Sequence, residues 1–89
     1  MPEFKMERAT NVREAEAMMT PPMRAVWDVI KEYGDWILGK EIGELVSDRY
    51  PHFQSCIKAL ERTGMIVSEQ QLADGWRRVK RYRVNDGRD

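Results

Sequence analysis

The sequence predicts a single α+β domain, mostly helical, in which a three-helix core is closed by a C-terminal β-hairpin and an extra helix precedes it. Three observations predict this. Apolar residues between Pro21 and Thr63 recur at spacings of three, four and seven, the period of helices with one buried face. Beyond Gly64, β-branched and aromatic residues flank an Asp74-Gly75 pair suited to a two-residue hairpin turn. The chain of 89 residues has room for one core.

Asn11 followed by Glu14 has the spacing of a helix cap with a reciprocal acid, and Val12, Ala15 and Met19 fall on one face of a short helix. Residues 1–19 thus read as an N-terminal arm or short helix, with too small an apolar face to fold alone. At Thr20-Pro21-Pro22 the chain restarts, with Thr as N-cap and proline in the first turn. Met23, Val26, Trp27 and Ile30 then mark the buried face of the first core helix, which Gly34 ends. "DWIL" is long enough only for a bridge-like strand. Gly39 allows a second helix over about 40–47, with Ile42, Leu45 and Val46 inward.

Pro51 disfavours helical geometry at Tyr50 and suits the first turn of a third helix, predicted over 51–63. Phe53, Cys56, Ile57 and Leu60 face inward there, and Gly64 stops the helix. Gln54, Ser55, Lys58, Glu61 and Arg62 look outward. In the hairpin, a two-residue turn at 74–75 would pair Met65 with Val84, Val67 with Tyr82 and Glu69 with Lys80. Met65, Val67, Tyr82 and Val84 would then share the face that covers the helices, and Arg77, Arg81 and Arg83 would occupy the outer face. The domain proper is expected to span 20–84, with 85–89 a frayed tail.

Charge is unevenly placed in a chain of zero formal net charge. Residues 1–48 hold ten acids and six bases, whereas 49–89 hold five acids and nine bases. Five bases and no acid fall in "WRRVKRYRV", residues 76–84. The second half is where an anionic partner would dock. With one cysteine and one histidine, neither an internal disulfide nor a Cys/His zinc set is expected. No cofactor is expected either, and neither a membrane span nor a secretory signal is visible, so a cytoplasmic location is the default.

The stretch "EIGELVSDRYPHFQSCIKALERTGMI", with the later "RYRV", resembles the winged helix-turn-helix family over roughly 21–84. Gly43 matches the small residue that lets two helices approach, and Phe53 and Cys56 match the apolar positions ten and thirteen residues later. "ALERTGMI" is similar to the exit from a recognition helix into a wing. The turn departs from the pattern, since Ser47, Asp48, Arg49, Tyr50 and Pro51 stand where the family often has glycine.

The resemblance implies double-stranded DNA as partner, with the third helix in the major groove and the hairpin on the backbone. Carried over by position, His52, Gln54, Ser55 and Lys58 become the groove-facing residues. Gln54 has the chemistry to pair with adenine, and Lys58 to approach guanine or phosphate. Arg77, Arg78, Lys80, Arg81 and Arg83 become a wing that neutralises phosphates.

The expected function is a small transcriptional regulator, not an enzyme, since no catalytic dyad or phosphate-cradling loop is visible. One helix contacts few base pairs, so a homodimer on two half-sites is one expectation, though no heptad run marks a dimer element. Two alternatives stay open. A winged helix also serves as a protein-interaction or assembly module, which suits the neutral charge and the acidic first half. The arginines with Trp76 could equally bind single strands within a replication or recombination complex. More plainly, a charged strand can be a solvated edge that deters aggregation.

Overall fold

The computed structural model describes residues 12–73 and 75–85. Among them, four helices and a three-stranded antiparallel sheet follow the order α1 (Val12–Met18), α2 (Pro21–Tyr33), β1 (Ile37–Leu38), α3 (Gly39–Val46), α4 (Phe53–Arg62), β2 (Ile66–Ala73) and β3 (Arg77–Val84). The α+β expectation holds at this level. The expected cap at Asn11 lies outside the described residues, as do Asp74 and residues 86–89.

Helix α2 is the spine of the core. Pro21 and Pro22 occupy its first turn, where the missing N–H groups cost no intrahelical bond. Met23, Val26, Trp27 and Ile30 are all buried, as their spacing predicts. Thr20 holds the extended N-cap geometry without a side-chain bond, and Gly34 ends the helix at φ 75°. Helix α1 docks on this spine. Its Ala15 is fully buried, and Glu16 accepts hydrogen bonds from Trp27 Nε1 at 2.5 Å and Lys31 Nζ at 3.0 Å.

Glu41 steadies the start of α3 by accepting the Leu38 N–H at 3.1 Å. The inward residues of α3 are Ile42, Gly43 and Val46, whereas Leu45, expected inside, is 68% exposed. The cause is the partner helix. The Phe53 ring of α4 lies against Gly43, which turns the buried arc of α3 toward the glycine. Leu45, on the other side of that arc at about 100° per residue, swings into solvent.

Helix α4 begins at Phe53, two residues later than expected, because Pro51 and His52 belong to the preceding turn. That turn is held by the Tyr50 N–H on the Val46 carbonyl at 2.8 Å and the Phe53 N–H on the Tyr50 carbonyl at 3.1 Å. Cys56, Ile57, Ala59 and Leu60 are buried in the core, while Phe53 is half-buried at its edge. Gly64, at φ 81°, provides the left-handed exit.

The sheet order is β1-β3-β2, so β3 is the central strand. The expected hairpin register is one residue off. Ile66 pairs with Val84, Ser68 with Tyr82 and Glu69 with Arg81, and Ala73 pairs with Arg77 across a three-residue connection, not a two-residue one. Asn85 accounts for the slip. Its N–H bonds the Met65 carbonyl at 3.1 Å and its Nδ2 bonds the Gly64 carbonyl at 3.0 Å, so Met65 lies outside the ladder and Ile66 takes the place opposite Val84. Asn85 is therefore tied to the domain and is no part of a frayed tail.

A one-residue shift moves every side chain of a strand to its other face. Ile66, 1% exposed, fills the core where Val67 was expected, and Val67 stands on the outer face. The phase of β3 matches expectation, with Tyr82 and Val84 packed against the core. Among the described residues, no helix is long and apolar enough to cross a membrane.

Candidate nucleic-acid interface

Gln54 and Lys58, one turn apart on α4, are both exposed. They line a groove of about 190 Å³ with Phe53, Ile57, Gly39 and Tyr82, so the outward row of α4 and the central strand face the same space. His52 and Ser55 do not join them. They border a separate apolar hollow of about 290 Å³, which also touches Pro22 and Met23 of α2, Tyr50 and Cys56. The Ser55 hydroxyl is turned back onto the His52 carbonyl at 2.8 Å, leaving only its acceptor capacity for a ligand. Burial pushes the Cys56 thiol above its ordinary value, which keeps it a neutral wall of this hollow.

The hairpin divides four of the five bases of 76–84, all but Arg83, into three groups. At the far end, Arg77 and Arg78 are exposed and have no acidic partner among the described residues. In the middle, Lys80 lies 3.6 Å from Glu61 of α4, whose other carboxylate oxygen accepts from the Ser68 hydroxyl of β2. Glu61 thus ties α4 to both strands of the hairpin. Nearest the base, Arg81 pairs with Glu69 through its Nε at 2.6 Å and through a second guanidinium nitrogen.

Trp36 adds a feature that residue spacing does not reveal. It precedes β1 beside the sheet's outer face, with the Arg81 guanidinium 5.2 Å and the Arg83 guanidinium 5.5 Å from its ring centroid. These distances fit cation–π contacts, so the two arginines cover a half-buried indole. Pairing of Ile37 with Tyr82 and Leu38 with Arg81 brings the tryptophan there. That long-range pairing is what a linear reading lacks. Tyr82, in the groove wall, has its phenol pushed above the ordinary value by burial, with nearby Lys80 opposing the shift.

Trp76 has the opposite environment. It is 88% exposed at the hairpin connection, and Leu72 close by is 63% exposed. Neither anchors the strands.

No protein-family model, curated protein or solved structure matches the chain.

Proposed function

We propose that this domain is a winged helix-turn-helix that binds double-stranded DNA non-covalently, as a small regulator of transcription. Helix α4 would enter the major groove, with Gln54 and Lys58 toward the bases, while the hairpin follows the backbone. The observation that carries this reading is the groove shared by Gln54, Lys58 and Tyr82, because it turns the helix and the central strand toward one ligand. The element order and the β1-β3-β2 sheet support it. Within the wing, Arg77 and Arg78 are the strongest phosphate ligands, since Lys80 and Arg81 already have acidic partners.

A salt titration of duplex binding tests the proposal. Each phosphate contact contributes about −0.9 to the slope of log affinity against log salt. Changing Arg77 and Arg78 together to Ala should flatten the slope by about 2 units on preferred and random duplexes alike. Gln54→Ala should instead narrow the gap between those duplexes by about 1 to 3 kcal/mol with the slope unchanged. An unaltered slope in the double arginine variant would remove the wing from the phosphates.

A protein-interaction role is favoured by one observation, the 68% exposure of Leu45 beside exposed Glu44 on α3. On that reading, loss of Leu45 would abolish capture of a protein partner and leave any DNA affinity intact.

A further inference from the structure

The far end of the hairpin combines features that the fold itself does not use. Gln70, Gln71, Leu72, Trp76, Arg77, Arg78 and Lys80 are all exposed, so about 10 Å of two-stranded ribbon stands clear beyond the Gln70–Lys80 pair. At its end, an indole 88% open to solvent sits next in sequence to two guanidiniums that have no acidic partner among the described residues. Leu72 is the cross-strand partner of Arg78 and shares the face that carries Tyr82. Leu72 and Arg78 therefore continue the face that borders the α4 groove, while Arg77 lies on the opposite face of the ribbon.

From this geometry we propose that the hairpin tip is a base-stacking wedge: Trp76, backed by Leu72, enters an opened base step while Arg77 and Arg78 hold the flanking phosphates. The inference rests on the DNA-binding reading above and adds a way of deforming the duplex. A flat aromatic face bordered by cations matches a polymer that alternates flat bases with anionic phosphates. The minor groove, about 6 Å wide, admits a side chain from the tip but not the ribbon itself. An apolar side chain pushed into a base step unstacks it and kinks the duplex. An anionic membrane is the lesser fit, because one indole and one leucine form a small apolar surface and polar Gln54 and Lys58 lie along the same approach.

Unstacking costs less where pairing is already broken, so a mismatch localises the test. Binding of the whole chain is measured by anisotropy on a labelled 20-base-pair duplex with a central mismatch, on its fully paired counterpart, and on vesicles of phosphatidylserine and phosphatidylcholine. The parent should bind the mismatched duplex about tenfold more tightly than the paired one. Trp76→Ala should bind both with equal affinity and keep the parent's salt slope, whereas the Arg77 and Arg78 double variant should lose affinity equally on both. A parent that binds both duplexes alike, or a Trp76→Ala variant that keeps the preference, overturns the wedge and leaves DNA binding standing. Binding to neither duplex overturns both readings, and binding to vesicles alone reassigns the tip to a membrane surface.

Discussion

The Phe53 ring stands on Gly43 so closely that a Cβ placed there would lie 2.6 Å from Cζ, with both neighbouring ring carbons at 3.3 Å. Helices α3 and α4 therefore meet at a position where any side chain other than hydrogen must displace the ring. Since Gln54 follows Phe53 directly, the same contact fixes how α4 presents its outward row.

Gly43→Ala puts two effects in opposition. Alanine favours a helix interior by about 1 kcal/mol over glycine, and overpacking costs about 1 to 3 kcal/mol. The tight approach of three ring atoms makes the second effect larger, with an expected net loss of about 1 kcal/mol in chemical denaturation. In a Phe53→Leu background the loss should disappear. A Gly43→Ala protein more stable than the parent would show that the ring moves aside freely.

Glu16 links pH to the docking of α1. The Trp27 indole N–H, followed by the Lys31 ammonium, holds its carboxyl below the ordinary value of 4.5 against the opposing effect of burial. A depressed carboxyl stabilises the fold fully above its unfolded value, and that contribution is lost as pH falls through the folded one. Glu16→Ala strands the N–H of Trp27, which is 1% exposed, and should cost about 1 to 3 kcal/mol at pH 7. Glu16→Gln keeps an acceptor and should cost less. Its melting temperature should converge with the parent's below pH 4.5. A constant gap from pH 7 to pH 2 would mean that the carboxylate charge contributes nothing.

Arg81 and Arg77 should separate folding from binding. Arg81→Ala loses the Glu69 pair and uncovers Trp36. A half-exposed pair and a cation–π contact together are worth about 1 to 2 kcal/mol, or several degrees of melting temperature. The slope of DNA affinity against salt should stay as in the parent. Arg77→Ala should leave stability within about 0.5 kcal/mol and act on that slope alone. Equal melting temperatures for the two variants would contradict the division of the hairpin charges.

Local chemistry made the helices legible. Prolines at the start of α2, Gly34 and Gly64 at helix ends, and the spacing of Met23, Val26, Trp27 and Ile30 all act within a turn or two, so they can be read in sequence. What could not be read depends on partners distant in the chain. Leu45 faces outward because of Phe53, the hairpin register is set by Asn85 reaching Gly64 and Met65, and Trp36 meets Arg81 only through the pairing of β1 with β3. The candidate site follows the same rule. Gln54 and Lys58 were visible from helical phase, whereas the pairing of Lys80 with Glu61 depends on α4 packing against the sheet.

The central place of β3 also sets an order of events. Neither β1 nor β2 has a strand to pair with until residues 77–84 are available, and the pairing of Ile37 with Tyr82 then closes a loop of more than forty residues. Contacts so distant along the chain form slowly, because the entropy of closing the loop is lost before the pairing repays it. During synthesis the helices can therefore assemble first, with Ile37 and Ile66 waiting uncovered, and the sheet closes in one late step when the final strand slots between its neighbours.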